Sequence, residues 1–192
     1  MEHQLPKARR KPRADSLRNR ELLLVAAGEI FSTGGPQASL EAVARKAGVG
    51  IGTLYRHFPT REALFDAVYR HEVEQLRALA EQLLEEPDPV EALRQWFQTN
   101  IRLVATKKGM IEALQLAVHG SSELKAYTFQ RMVEAVGLLL DRAVKAGMVR
   151  DDIPAQDLLS TLFGILYAQN SANWQPAAMR MVDVFVDGLR AR

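Results

Sequence analysis

The stretch GVGIGTLYRHFPTREAL, residues 48–64, decides the fold of this protein. It places three glycines at alternate positions, continues with aromatic and basic residues, and passes through a proline into a new helical pattern. Gly48 supplies the left-handed backbone that a tight turn between two helices needs. Leu54 and Phe58 lie four residues apart and can face a core, so the sequence predicts a short helix over about 50–58.

Two further helices are predicted before this stretch. Ser16 is a suitable N-cap for the first, which continues until the Gly-Gly-Pro sequence at 34–36 stops it. Ser39 is a suitable N-cap for the second, a short helix that ends before Gly48. Its apolar stripe has helical spacing and consists of Leu40, Val43, Ala44 and Ala47. Two short helices joined by a tight glycine turn are typical of a helix-turn-helix.

The helical pattern continues from Thr60, which caps a long fourth helix, to the C-terminus. Later helices are predicted near 89–107, 110–118, 122–146, 155–171 and 176–191. Because strand-like alternation is scarce, the predicted fold class is all-α. We expect three parts in sequence order: a disordered basic arm over 1–15, a helix-turn-helix DNA-binding domain over 16–60, and a larger helical bundle over 61–192.

The composition excludes several classes of protein. The chain has 192 residues, 47% of them hydrophobic, and no cysteine, which excludes a disulfide framework and thiolate metal sites. No apolar run approaches the roughly 18 residues of a membrane-spanning helix, and the N-terminus lacks the apolar segment of a signal peptide. We therefore expect a cytoplasmic protein without a membrane partner.

The formal net charge of +2 conceals a basic N-terminus. Residues 1–20 hold seven Lys or Arg against two acidic residues, so the remainder of the chain is mildly acidic. The arm has two interpretations. Its cations, among them Arg9, Arg10, Lys11 and Arg13, either follow the backbone or minor groove of bound DNA or form a solvated tail.

The outer face of the third helix has the chemistry that DNA recognition requires. A recognition helix enters a major groove about 12 Å wide, so it needs little bulk where it approaches the bases. Gly50 and Gly52 leave that clearance, although each weakens the helix. The phosphate contacts predicted next to this face are Tyr55, His57, Arg61 and the positive helix end that begins at Thr60.

The run SLEAVARKAGVGIGTLYRHFPTREALFDAVY, residues 39–69, closely resembles the DNA-binding signature of the TetR-like family of bacterial transcriptional regulators. The resemblance implies that the hydroxyl of Ser39 lies beside a phosphate. It also implies that Tyr55 and His57 contact the DNA backbone, and it places Arg61 where lysine is more usual. Arginine there keeps the charge but changes the hydrogen-bond geometry.

The resemblance further implies that the outward positions of the third helix contact bases or adjacent phosphates. These positions are Gly50, Ile51, Gly52, Thr53 and Arg56. Two glycines and an isoleucine are poor hydrogen-bond readers. Sequence choice is therefore expected to depend on Thr53 and Arg56, on contact of Ile51 with thymine methyls, and on DNA shape.

The same resemblance implies that the bundle holds a dimer surface on its last two helices. The apolar stripes of these helices, which would equally suit a core, are Leu158, Leu162, Ile165 and Leu166 on one and Val182, Phe185, Val186 and Leu189 on the other. A twofold homodimer presents two recognition helices one DNA turn apart, about 34–36 Å, and so predicts a palindromic operator in double-stranded DNA.

An effector cavity is also implied by the resemblance. Its candidate polar residues are three pairs with i, i+4 spacing: Trp96 and Asn100, Gln115 and His119, and Tyr127 and Arg131. Taken alone, each pair is more typical of the edge of an amphipathic helix or of a satisfied core position. No feature selects a chemical class of effector. The expected output is repression that a small molecule relieves, and activation remains open.

Two other classes of function compete with this prediction. An enzyme is disfavoured because the glycine pattern does not end in Gly-Lys-Ser/Thr, and because His71-Glu72-x-x-Gln75 lacks the second histidine of a zinc protease. We predict no catalytic residue, metal or cofactor. A protein that coats DNA without sequence preference stays open, because the recognition helix has few base readers.

Overall fold

A computed structural model describes residues 12–106, 122–167 and 174–191. Its helices are α1 (Pro12–Gly34), α2 (Leu40–Lys46), α3 (Ile51–His57), α4 (Arg61–Gln82), α5 (Pro89–Thr106), α6 (Ser122–Lys145), α7 (Ala155–Tyr167) and α8 (Trp174–Gly188). Short 3₁₀ turns follow α1 and α4. Within these ranges there is no strand, and no helix is long and apolar enough to cross a membrane. The all-α prediction is confirmed, whereas the predicted helix at 110–118 lies outside the described residues.

The first helix begins earlier than its sequence pattern indicated. α1 starts at Pro12, so Ser16 lies inside the helix and is not its N-cap. Proline suits the first turn of a helix because its fixed φ matches helical backbone and its missing N–H would have no partner there. The expected arm at 1–15 therefore shares its last residues with α1, and residues 1–11 lie outside the described part of the chain.

The local signals around the helix-turn-helix are confirmed. Ser39 is the N-cap of α2 and accepts a hydrogen bond from the backbone N–H of Ala42 over 3.3 Å. Gly48 has φ +68° in the turn between α2 and α3. Thr60 caps α4 by accepting a hydrogen bond from the N–H of Ala63 over 3.1 Å. Each signal depends only on residues close in sequence, which is why the pattern predicted it.

The hydrophobic interior has two parts, and α4 contributes to both. Leu64, Phe65 and Val68 pack with α1, α2 and α3, and the Phe65 ring stacks on Phe31 with centroids 4.1 Å apart. The second half of α4 packs instead with the helices of the bundle. The two parts meet near Tyr69, which touches both, rather than at the start of α4. One continuous helix, α4, therefore connects the helix-turn-helix to the bundle.

The bundle is arranged around α5 and α6. α6 lies against α4 and α7, and α5 lies against α8. Arg94 of α5 joins α8 through two carboxylates, at 3.1 Å from Asp183 Oδ1 and 2.6 Å from Asp187 Oδ1. After α8, the N–H of Ala191 donates to the carbonyl of Met148 over 3.0 Å. These contacts fix the orientation of α8 on the bundle.

The structure changes the prediction of the dimer surface. Five of the eight predicted residues are at most 2% exposed within the single chain, and they are Leu158, Leu162, Val182, Val186 and Leu189. They pack in the bundle core, so a second chain cannot cover them without unpacking it. Ile165, Leu166 and Phe185 are partly buried against the same core. The exposed large apolar residues of α8 are instead Met181, 51% exposed, and Val184, 66% exposed.

Candidate nucleic-acid interface

α3 is held against the protein by one face and presents the other to solvent. Leu54 is fully buried and Phe58 is 3% exposed, so both anchor the helix as the sequence predicted. Tyr55 and Arg56 are exposed, whereas His57 is half-buried. The anchored and exposed faces of this short helix are therefore separated in the way that insertion into a groove requires.

The glycines of α3 are not required by the fold itself. A Cβ added to Gly50 or Gly52 would meet no other atom of the described chain within 4 Å. Neither residue has the positive φ that favours glycine, in contrast to Gly48. Alanine would strengthen a helix at Gly52, so the packing of the described residues gives no reason for glycine there.

Thr53 and Arg56 form a pair on the exposed face. Arg56 Nη2 donates to Thr53 Oγ1 over 2.9 Å, and Arg56 Nε donates to the carbonyl of Gly52 over 3.2 Å. The guanidinium thus lies along the helix surface, with Nη1 in neither of these two bonds. The structure brings together the two residues that the sequence selected as base readers.

The hydroxyl of Ser39 both accepts and donates a hydrogen bond within the chain. It accepts from the N–H of Ala42 and donates to Glu41 Oε2 over 2.8 Å. This hydrogen bond is the main reason that the pKa of Glu41 lies below its usual value. A phosphate contact from Ser39 would therefore have to displace the Glu41 carboxylate.

The Arg61 side chain is hydrogen-bonded to the backbone of its own chain. Its Nη1 donates to the carbonyl oxygen of Ala38 over 2.7 Å, and the residue is partly buried. The guanidinium is therefore tied to the backbone of the chain before any phosphate approaches. Ala38 precedes Arg61 by 23 positions, so no local pattern could have indicated the pairing.

Arg20 of α1 was missed by sequence reasoning. Its guanidinium carbon lies 5.4 Å from the centroid of the Phe58 ring, beside the turn that joins α3 to α4. Arg20 is exposed. The sequence around Arg20 does not indicate a contact with Phe58, because this contact depends on how α1 packs against α3. The only available signal was its place within the basic N-terminal segment.

The first pair of candidate effector residues lies in the bundle core. Trp96 is fully buried, and its indole N–H donates to the carbonyl of Leu76 over 2.9 Å. Asn100 is 3% exposed, and its Nδ2 donates to the carbonyl of Trp96 over 2.8 Å. Both donors thus have partners on the backbone of the chain. The second pair, Gln115 and His119, lies outside the described residues.

The third pair connects α6 to α4. The hydroxyl of Tyr127 donates to Glu74 Oε1 over 2.6 Å, and Arg131 Nε lies 3.1 Å from the same oxygen. The Tyr127 hydrogen bond is the main reason that the pKa of Glu74 lies below its usual value. Arg70 of α4 also places its guanidinium carbon 4.5 Å from the centroid of the Tyr127 ring. Tyr127 and Arg131 therefore serve as links between two helices.

Two family models match the sequence. The one described as bacterial regulatory proteins, tetR family, matches residues 23–68, and the one described as transcriptional regulator SbtR-like, C-terminal domain, matches residues 88–191. An HTH-type transcriptional regulator of Staphylococcus aureus is 31% identical over 84 residues, which are 43% of this chain and 44% of that protein. The match thus spans less than half the length of that curated relative.

Solved structures resemble nearly the whole chain. A TetR transcriptional regulator from Streptomyces coelicolor is 41% identical, with a TM-score of 0.77, and the match covers 90% of this chain and 98% of that one. A TetR transcription regulatory protein from Mycobacterium vanbaalenii is 32% identical, with a TM-score of 0.71, over 94% of this chain and 100% of that one.

Proposed function

This chain belongs to the TetR family of bacterial transcriptional regulators, and on that premise we propose that it is a cytoplasmic homodimer that represses transcription from a palindromic operator and releases it when a small molecule binds. Its relatives are regulators rather than enzymes. The observation that carries the proposal is the exposed face of α3, where glycines that the fold does not need lie next to a paired threonine and arginine.

The glycines support insertion of α3 into a groove. At Gly50 and Gly52 nothing within the described chain would obstruct a methyl group, so glycine there is explained by what approaches from outside. Bases and sugar edges in a major groove are such an obstruction. Gly50 is the N-cap of α3, a position that suits glycine, whereas at Gly52 the fold gives up helix stability, and close approach to DNA offsets that loss.

Replacing Gly52 with alanine separates stability from binding. Alanine is expected to stabilise the free protein, by up to about 0.5–1 kcal/mol, because Gly52 has ordinary helical backbone. The same methyl group is expected to weaken binding to DNA about tenfold, because forcing an extra methyl group into a close-packed contact costs roughly 1–3 kcal/mol. Urea unfolding and fluorescence anisotropy with a labelled duplex measure the two effects. Unchanged DNA affinity would show that α3 does not approach the bases at Gly52.

We assign recognition of the DNA bases to Arg56, whose guanidinium is positioned by Thr53. A guanidinium that reaches guanine O6 and N7 is worth about 1–3 kcal/mol of discrimination. The hydrogen bond from Arg56 to Thr53 holds the guanidinium on the exposed face of α3 before DNA arrives. Tyr55 and His57 are proposed as backbone contacts, since they lie at the end of the same helix.

Arg56→Ala and Tyr55→Phe are expected to change DNA binding in different ways. Arg56→Ala should lower affinity and also change the preferred base at one position of each half-site. Tyr55→Phe, which removes a single hydroxyl, should weaken binding by a similar factor on every sequence, because phosphates carry no sequence information. Competition between matched duplexes distinguishes the two patterns. Equal losses on all sequences for both variants would remove Arg56 as the base reader.

Selection of binding sites from a randomised duplex pool tests the proposed function directly. The wild-type protein and a Tyr55→Ala/His57→Ala variant are compared at one stated, near-physiological salt concentration, because affinity for DNA depends steeply on salt. Enrichment of a palindrome by the wild type alone supports a dimeric, site-specific regulator. If neither protein enriches a motif, binding without sequence preference is favoured, since specific sites typically win by about 10³–10⁷.

The dimer is proposed to form through the outward face of α7 and α8. The large exposed apolar side chains of α8 are Met181 and Val184, and α7, which contacts α8, offers the small exposed residues Ser160 and Gly164. Small residues allow two helices to approach closely, and a twofold axis pairs each face with its copy. The buried stripes Leu158, Leu162, Val182 and Val186 hold these helices in place from the inside.

Response to a small molecule is proposed to pass through α6 and α4. Glu74 of α4 binds both Tyr127 and Arg131 of α6, so a ligand that shifts α6 also shifts the helix that carries the helix-turn-helix. A compound screen by thermal shift, followed by operator competition, tests this step. Linkage requires that a compound which lowers operator affinity lose its own affinity by the same factor when operator is bound.

A further inference from the structure

Arg61, the first residue of α4, bonds to its own chain where the family resemblance implies a phosphate contact. Its Nη1 donates to the carbonyl oxygen of Ala38 over 2.7 Å, and the side chain is partly buried. We propose that Arg61 is a positioning residue, which ties the start of α4 to the start of α2, and that its guanidinium does not contact the DNA backbone.

Ala38 is the residue that determines where α2 begins. It is 8% exposed, and its N–H donates to the carbonyl of Gly35 over 3.2 Å. A Cβ added to Gly34 would lie 2.9 Å from the Cβ of Ala38, so the end of α1 is packed tightly against it. Ser39, the N-cap of α2, follows directly. Holding the carbonyl of Ala38 therefore holds the first turn of α2.

The bond closes the helix-turn-helix into a ring. The chain passes from Ala38 through α2, the turn at Gly48, and α3, and it reaches α4 at Arg61. The guanidinium then returns to Ala38, so the relative position of α2 and α3 is fixed at both ends of the segment. A segment that is fixed before binding avoids the ordering cost that a mobile one would meet on the DNA.

The charge of Arg61 strengthens this bond and is already partly compensated. A hydrogen bond with a charged donor is stronger than one between neutral groups. The hydrogen bond from Ser39 contributes most to lowering the pKa of Glu41, and the positive charge of Arg61 also lowers it. The Glu41 carboxylate therefore interacts electrostatically with Arg61. A phosphate would therefore approach a guanidinium that already bonds to a carbonyl oxygen and lies near a carboxylate.

Amide hydrogen exchange of the free, full-length protein tests the positioning role without DNA. Arg61→Gln is expected to speed exchange at the N–H groups of Ala38 and Val43 about tenfold, because the first reports on the turn that leads into α2 and the second on the first turn of α2. Arg45→Gln, which also removes an exposed positive charge nearby, is the matched control and should leave both rates unchanged. Unchanged exchange in Arg61→Gln overturns the proposal. If that variant does not fold, Arg61→Lys carries the same test with a milder change.

The salt dependence of DNA binding tests the second half of the proposal, which rests on the proposed DNA-binding function. Arg61→Gln is expected to weaken binding about three- to tenfold without changing the slope of log affinity against log salt. If Arg61 instead neutralised a phosphate, the substitution would reduce the magnitude of that slope by about 0.9. A shallower slope therefore overturns the proposal, whatever the exchange rates are. The exchange measurement needs no DNA and the salt slope can be measured on any duplex, so failure to select an operator would count against the proposed function alone.

Discussion

Val184→Asp is expected to dissociate the dimer and to weaken operator binding by about 10²- to 10⁴-fold. Val184 is 66% exposed on α8, one helical turn after Met181, so its side chain does not support the fold of the single chain. In a twofold dimer the two new carboxylates would lie in one apolar interface, and burying unpaired charge there is costly. Each separated subunit would then contact one half-site and lose the gain from simultaneous binding.

Sedimentation velocity and operator titration measure the two consequences of Val184→Asp. Val25→Asp is the matched control, because Val25 is 48% exposed on α1 and the substitution is identical. The control protein should remain dimeric. If Val184→Asp is also dimeric and binds operator with unchanged affinity, the dimer forms through another surface.

Trp96→Ala is expected to destabilise the protein by about 3–5 kcal/mol, the usual cost of removing a large aromatic side chain from a core. Trp96 is fully buried in α5, and its ring packs edge-on against Phe97 with centroids 5.5 Å apart. The substitution also leaves the carbonyl of Leu76 without the indole donor. The loss therefore combines a cavity with the loss of a side-chain hydrogen bond between α5 and α4.

Urea unfolding followed by circular dichroism, at one fixed protein concentration, measures this loss, because dimerisation makes apparent stability depend on concentration. Trp96→Phe separates the two contributions. It keeps most of the packing and removes the N–H, so we expect a cost of about 1–3 kcal/mol. A loss below about 1 kcal/mol in Trp96→Ala would mean that Trp96 lines a space which collapses or fills when the ring is removed.

The helix-turn-helix was predictable from sequence because its signals are local. Ser39, Gly48 and Thr60 each act on backbone groups within a few residues of themselves, and the structure confirms all three. The anchoring of α3 by Leu54 and Phe58 is equally visible, since their four-residue spacing places both on one face. The start of α1 was the exception, because proline at a first helical turn looks like a helix breaker in the sequence.

The contacts of the long side chains were not predictable. Arg61 reaches Ala38, and Tyr127 and Arg131 reach Glu74 on another helix. A long side chain can bond to many groups, and which one it meets depends on how the helices cross. Sequence spacing identified these positions as polar groups near a binding surface, and it did not identify their partners.

The sequence by itself determined the all-α class, the helix-turn-helix and its exposed recognition face, because helix periodicity, caps and turns act over a few residues. Only the tertiary structure decided which apolar stripe of the last helices faces inward. Val182 and Val186 fill the bundle core, whereas Met181 and Val184 of the same helix remain outside. Periodicity shows that a helix has apolar sides, but the choice between core and partner depends on the packing of helices distant in sequence.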